Sequence, residues 1–211
     1  MFYDTDSNDH NLPHDPFKAC IAPRPIGWIS TVSADGLANV APYSFFNGVA
    51  SNPPQVMYST SGTQPHGPKD TLTNIRATCE FVVNVATWEL REAMNITSQA
   101  SLPEEDEFAL AGLTPAPSRL VKPPRIGESP ISMECRLTNI VDLLTNNPDQ
   151  PNVMVIGHVV GMHIDQAILT DGLIDNAKLN LISRLGYKDY ARVENVFSMN
   201  RPGAGDTLAG L

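Results

Sequence analysis

Lys69-Asp70-Thr71 follows a segment, Ser61-Gly-Thr-Gln-Pro-His-Gly-Pro68, too rich in glycine and proline for regular structure, and precedes a run with Leu72, Ile75 and Cys79 at helical spacing. At a helix start the free backbone N–H groups and the positive dipole end stabilise a bound phosphate; Lys69 and the Thr71 hydroxyl would add charge and a donor. On the residues alone, the alternative is an ordinary surface helix capped by Asp70 with a solvated lysine. In Ser44-Phe45-Phe46-Asn47, polar residues interleave with aromatic ones, a composition that suits a strand facing a ligand; core packing is the alternative for the two rings. Arg24 lies between two prolines, a rigid extended setting that would present its guanidinium to an anion, with an exposed arginine as the plain alternative.

Other chemistry-bearing residues point elsewhere. His158 and His163 are five apart on one strand, so they face opposite ways and make no two-histidine metal face. Pro13 interrupts any helix that would align His10 with His14, and no metal is expected. The run Glu104-Glu-Asp-Glu107 reads as the first turn of a helix, near its positive dipole end.

The elements that must position these residues are mostly strands. Ile26–Val32 is rich in β-branched and aromatic residues, and Ala34-Asp35-Gly36 supplies a hairpin turn. Leu37–Ala50 runs back until Ser51-Asn-Pro-Pro54 ends the ladder, and Gln55–Thr60 leads out again. A helix from Asp70, with Leu72, Ile75 and Cys79 on its buried face, is followed by a strand over Phe81–Ala86. Thr87 is expected to cap a helix reaching Thr97, and Pro103 to open a third that stops near Gly112. The proline-rich span 114–130 reads as an extended crossing. In Ile131–Leu137, Ile131, Met133, Cys135 and Leu137 alternate with Ser132, Glu134 and Arg136, as in a strand wet on one side. After a turn at Asn146–Asn152, Val153–Ile164 is nearly all apolar and expected to be central, with Gly157 and Gly161 at bends. Antiparallel strands with a few inserted helices, and no regular alternation of strand and helix, predict a closed β-barrel of mainly β class.

Composition narrows the function further. The 211 residues, 42% hydrophobic, suit one sizeable core: a loose arm over 1–15, one domain over 16–200 and a tail over 201–211. A net charge of −9 argues against nucleic acid or an anionic membrane as partner, both of which need a basic face. Met1–Asp15 is acidic and polar, unlike a signal peptide or a membrane span. Three cysteines, Cys20, Cys79 and Cys135, form no Cys-x-x-Cys motif, so a reduced, cytoplasmic protein is expected.

Arg24-Pro-Ile-Gly-Trp-Ile-Ser-Thr31, Ala41-Pro-Tyr-Ser-Phe-Phe-Asn47 and the Asn52-Pro-Pro54 turn together resemble the flavin reductase-like family of FMN-binding split barrels. Gly67–Ile75 resembles the family's phosphate-side loop and helix start, and Leu181-Ile-Ser-Arg-Leu-Gly186 with Tyr190 its late flavin-side segment, so the likeness spans about 16–192. The resemblance implies an antiparallel split barrel with peripheral helices, in a homodimer with flavin near the subunit interface. It places Ser44, Phe45, Phe46 and Asn47 along the isoalloxazine ring, with Ser30, Thr31 and Ser59 in reach. Lys69, Asp70 and Thr71 would then hold the phosphate, Arg184 the phosphate or the pyrimidine end of the flavin, and Tyr190 and Arg24 would complete the site. The implied reaction is hydride transfer from NADH or NADPH to FMN, needing no catalytic side chain; a monooxygenase or an electron-transfer protein is the expected downstream partner. The alternatives are an FMN electron carrier of the flavoredoxin kind and, third, a flavin oxidase of a small amine. Arg201-Pro-Gly-Ala-Gly-Asp206 lacks the full dinucleotide fingerprint, so a nicotinamide nucleotide would have to stack directly over the flavin.

Overall fold

The computed structural model describes residues 1–65, 67–102, 104–200 and 202–203. A short helix α1 (Phe17–Cys20) precedes β1 (Gly27–Val32), β2 (Ala38–Tyr43), β3 (Phe46–Ser51) and β4 (Pro54–Ser61). Helix α2 (Asp70–Thr78) leads to β5 (Glu80–Val85), followed by α3 (Arg91–Ile96), α4 (Glu107–Leu110) and the two-residue strands β6 (Pro115–Ala116) and β7 (Arg125–Ile126). The long strands β8 (Ile131–Leu143) and β9 (Asn152–Ile164) come next, then β10 (Leu169–Thr170), β11 (Leu173–Ile174), α5 (Asn176–Leu179), β12 (Ile182–Arg184) and β13 (Tyr190–Arg192).

Seven strands form one antiparallel sheet in the order β2-β1-β5-β8-β9-β4-β3. Its two edges, β2 and β3, are consecutive in the chain and separated by only Ser44 and Phe45. A two-residue link cannot cross a flat seven-stranded sheet, so the sheet is rolled until its edges meet, a barrel split at that seam. The single strand expected over Leu37–Ala50 is therefore two strands. Between them the chain turns from one edge to the other, and the Ser59 N–H pins the turn by donating to Phe45 C=O at 2.7 Å.

Burial follows from this closure. Ile29, Tyr58, Phe81, Val83, Cys135 and Val155 meet inside the barrel, with Leu72 and Ile75 of α2 closing one end. Trp28, Val40, Met94, Phe108 and Ile126 form a second core between the outer wall and the excursion running from Thr87 to Pro130. Strand β1 is consequently buried on both faces. Phe81 explains Gly157: a Cβ there would lie 2.4 Å from the Phe81 ring.

The excursion also overturns the wet face expected for β8. Ser132 and Glu134 are fully buried, and of the three polar residues only Arg136 is exposed. Ser132 donates to Asn84 Oδ1 at 2.9 Å, and the Glu134 carboxylate accepts from the Arg119 N–H at 2.7 Å and the Leu120 N–H at 2.6 Å. Buried polar atoms are stable only with such partners; here β5 brings the one for Ser132 and the extended crossing those for Glu134.

The helices differ locally from their sequence signals. Lys69, not Asp70, occupies the N-cap of α2, and Cys79 ends it in the left-handed conformation, exposed rather than buried. Thr87 bridges Leu181 instead of capping a helix, and α3 begins at Arg91. In the acidic run, Asp106 caps α4 through the Ala109 N–H and Glu107 is buried in its first turn; Glu104 and Glu105 precede it. Pro103, His66, Arg201 and the end of the glycine-containing tail to Asp206 lie outside the described residues.

Candidate functional site

The seam of the barrel opens into a cleft of about 870 Å³. Its floor is the Ser44-Phe45 turn with Pro42 and Tyr43 before it, and Ser59, Thr60 and Ser61 of β4 lie alongside. Lys69 enters from the start of α2, Asn95 from α3 and Ser98 from just beyond it, Lys18 from α1, and Arg184, Tyr187, Lys188 and Tyr190 from the hairpin of β12 and β13.

Of the residues expected to bind cofactor, Arg24, Ser44, Phe45, Ser59, Lys69, Arg184 and Tyr190 line this cleft. Ser30, Thr31, Phe46, Asn47, Asp70 and Thr71 are not among its lining residues. Ser30 is buried, donating to Pro124 C=O and accepting from Asn84 Nδ2. The Thr31 and Thr71 hydroxyls both reach Asn39 Oδ1, at 3.3 and 3.0 Å, in a buried network joining β1, β2 and α2. Phe46 packs over Gly27, leaving no room for a Cβ there. Asn47 folds onto its neighbour, accepting from the Gly48 N–H at 2.9 Å on the exposed strand β3. These hydroxyls and amides have the right chemistry for a ligand, but internal partners already use them.

Arg24 takes a different part from the one its prolines suggest. Its guanidinium is buried and donates to the carbonyls of Lys18, Ile21 and Leu185, the last two at 2.7 and 2.8 Å, and more weakly to Ser44 Oγ at 3.4 Å. Three of its N–H groups thus tie α1 to the Leu185–Asp189 turn. Arg24 and Arg184 also pair backbone to backbone, each N–H donating to the other's carbonyl at 2.9 Å. Burial, and then the neighbouring Arg184, pull the Arg24 pKa below its ordinary value. Arg184 itself lies 4.4 Å over the Tyr190 ring and donates to Tyr187 C=O.

Lys69 shows the same accumulation of charge. Its ammonium lies 5.8 Å from the centre of the Tyr43 ring, and burial followed by the proximity of Lys18 lowers its pKa. Burial pushes the Tyr43 phenol up to about 12, so it is neutral at physiological pH. Among the described residues, none of the ammoniums of Lys18, Lys69 and Lys188 forms an ion pair with a carboxylate. Five cations thus converge on one cleft in a chain with only 14 lysines and arginines and a net charge of −9. The sole acid in the lining, Asp15, accepts from the Phe17 N–H at 2.8 Å in the turn before α1.

Residues 20–179 match the family described as flavin reductase like domain. The chain belongs to this family. An uncharacterized protein of Aquifex aeolicus is 41% identical over 173 residues, covering 82% of this chain and 85% of its own length. Among solved structures, the flavin reductase-like fold superposes on nitrilotriacetate monooxygenase component B from Bacillus cereus with a TM-score of 0.86 and 31% identity, over 94% of this chain and 98% of that one. A putative flavin reductase with split barrel domain from Shewanella frigidimarina shares the fold at a TM-score of 0.80 and 21% identity, over 95% and 99% of the two chains.

The cleft suits the FMN of an FMN-binding split barrel. Thr60 Oγ1 is buried in its lining with no partner of ordinary hydrogen-bond geometry, an atom that a ligand's polar edge would satisfy. The unpaired ammoniums suit a phosphate, and Phe45, Tyr187 and Tyr190 offer apolar surface to a planar ring. Sequence reasoning missed Thr60, Lys18, Tyr187 and Lys188. Tyr187 and Lys188 sit between Gly186 and Tyr190, both in the late segment already singled out, and continuity was the available signal. Lys18 had none, because only folding brings α1 to that turn.

Proposed function

We propose that the cleft binds FMN without a covalent link and that the protein is a flavin reductase that oxidises NADH or NADPH. The observation that carries this reading is the convergence of five cations, an unsatisfied hydroxyl and four aromatic rings at the barrel seam. FMN, when bound, supplies the hydride-accepting chemistry. The protein's own groups bind and orient. Lys69 at the start of α2 attracts the phosphate, aided by first-turn N–H groups that have no intrahelical acceptor. Ser44, Ser59 and Thr60 offer hydroxyls to the polar edge of the ring, while Phe45 and Tyr190 keep water from its apolar parts. No acid, base or nucleophile among these side chains is assigned a catalytic role.

The same reading includes a cytoplasmic homodimer built on residues 16–200. Strand β3 supports the dimer: it has a pairing partner on one side only, and Asn47–Ser51 are all exposed, including Val49. A bare apolar edge is what proteins normally cover. The 31% identity to a monooxygenase component supports delivery of reduced flavin to an oxygenase partner.

Anaerobic mixing of the FMN-loaded protein with NADH or NADPH tests the function, and the flavin absorbance should bleach at a rate that rises with nucleotide concentration. Denaturation should release all the flavin into the filtrate. If a low-potential chemical reductant bleaches the flavin and neither nucleotide does so within minutes, the protein is an electron carrier instead.

A further inference from the structure

The cleft holds more unpaired positive charge than one phosphate requires, and that charge lies on two separate walls. One wall is the start of α2 with Lys69. The other is made where α1 meets the Leu185–Asp189 turn. Gly186 is buried against Ala19 so closely that a Cβ on it would lie 2.4 Å from the Ala19 Cβ. Lys18 is the chain neighbour of Ala19, and Lys188 lies two residues beyond Gly186, so this contact brings both lysines to one wall. Arg24 locks it from beneath, donating to Lys18 and Ile21 on one side and to Leu185 on the other. The turn is closed by its own bonds, Leu185 N–H to Asp189 C=O and Asp189 N–H to Gly186 C=O, both 3.0 Å.

The wall is therefore rigid below and cationic above. Lys18 and Lys188 are exposed, and neither forms an ion pair with a carboxylate among the described residues. Asp15, the one acid of the lining, accepts from the Phe17 N–H in the turn that leads into α1. Tyr187 lines the same cleft as a half-exposed ring, with the His14 ring 5.7 Å from it. Like charges that outnumber the single carboxylate beside them repel one another, and that repulsion is relieved when an anion binds.

We propose that Lys18 and Lys188 form a second phosphoryl subsite, which recognises the phosphate groups of the electron-donating nucleotide rather than the phosphate of FMN. This rests on the reductase reading above and adds to it the part of the nucleotide that the protein holds. The diphosphate is common to NADH and NADPH, and the 2′-phosphate is particular to NADPH. Nothing else in the described cleft provides a dinucleotide fold, so the subsite supplies much of the attraction for a nucleotide whose nicotinamide must reach the flavin.

The test uses the FMN-loaded protein and its Lys18→Ala, Lys188→Ala and Lys188→Glu variants, all at exposed positions. Calorimetric titration with ADP-ribose and with 2′-phospho-ADP-ribose reads the subsite without turnover. Each alanine should weaken ADP-ribose roughly 5- to 20-fold, and the glutamate more, while the FMN dissociation constant moves less than about twofold. In steady state the KM for NADH should rise by a similar factor with kcat nearly constant, and the preference for NADH over a phosphate-free dihydronicotinamide should fall accordingly. A loss confined to 2′-phospho-ADP-ribose assigns the subsite to the 2′-phosphate, and an equal loss for both ligands to the diphosphate. Unchanged affinity for both ligands, or an FMN affinity that falls as far as theirs, overturns the proposal. If the wild type is not bleached even by the phosphate-free donor, the reductase reading itself fails; bleaching that ignores the lysines refutes the subsite alone.

Discussion

Replacing Lys69 by alanine should weaken FMN while leaving riboflavin almost untouched. One charge-assisted hydrogen bond contributes about 1.5–3 kcal/mol, or roughly 10- to 150-fold in affinity. Two features of the structure set the expected loss at the lower end. Lys69 is only half-buried, so water screens part of its attraction. Lys18 also lies near enough to depress the Lys69 pKa, so the Lys69 ammonium holds its full charge over a narrower pH range. A loss of about 10- to 30-fold for FMN follows. The assay is quenching of flavin fluorescence on titration, run in parallel with FMN and riboflavin.

The pH dependence gives the same reasoning a second readout. The ammonium pKa is lowered in the empty protein by burial first and Lys18 second. Between that lowered value and the ordinary lysine pKa, the folded protein binds fewer protons at this site than the unfolded chain, so this group's contribution to stability rises with pH across that window. A phosphate dianion favours the charged form and raises the pKa again. FMN binding should therefore take up protons as pH approaches the ordinary lysine range, and FMN affinity should fall through the lowered pKa. Calorimetry in two buffers of different ionisation enthalpy measures the uptake, which Lys69→Ala should remove. Equal losses of FMN and riboflavin, or an uptake unaffected by the substitution, would refute the assignment of Lys69 to the phosphate.

Arg24→Met keeps the side chain's bulk but removes the bonds to Lys18, Ile21 and Leu185; we expect a loss of roughly 2–4 kcal/mol and faster hydrogen exchange confined to 17–21 and 185–189. Exchange that quickens evenly over the barrel would show that Arg24 is not a local clamp. Burial pushes the Glu134 carboxyl up, but bonds from His163, Arg119 and Leu120 outweigh it and hold its pKa below the ordinary value. Its stabilising effect is therefore full above the ordinary glutamate pKa and lost as pH falls through the lower folded value. Glu134→Ala should cost about 3 kcal/mol at neutral pH by leaving buried donors unpaired, with Glu134→Gln milder, read by denaturant melts. Val49→Glu on the exposed face of β3 should give a monomer by sedimentation with the barrel's far-ultraviolet spectrum intact.

The strands were legible because their signals are local. Asp35-Gly36 marks a turn, Gly36 indeed has φ +89°, and Pro53-Pro54 punctuates the next one. Closure was not legible in the same way. Nothing in Tyr43-Ser-Phe-Phe46 signals that its two halves belong to opposite edges of a sheet, because that depends on the edges meeting after seven strands have paired. Ser132 and Glu134 carried the period of a wet strand, and their burial depends on an excursion folding over them from elsewhere in the chain. Which expected site residues line the cleft depends on similar grounds. Residue type showed that Ser30, Thr31 and Thr71 could serve a ligand, yet only the fold shows their hydroxyls already engaged by Pro124 and Asn39. Lys69 and Arg184 do line the cleft, because long cationic side chains cannot readily be satisfied inside a barrel and so stay available at its seam.

The distribution of charge links the chain's composition to its chemistry. An overall charge of −9 repels polyanions at long range, whereas the cleft is cationic over a few ångströms. Screening at physiological salt acts beyond about 8 Å, so the repulsion between the protein and a distant nucleotide is damped while contacts inside the cleft persist. On the proposed reading, small dianions are selected locally by Lys69 on one wall and by Lys18 and Lys188 on the other, while the overall charge disfavours nucleic acid. Arg24 makes this arrangement possible. Its own charge is occupied by backbone carbonyls, and it fixes the wall on which charges free to meet a ligand are displayed.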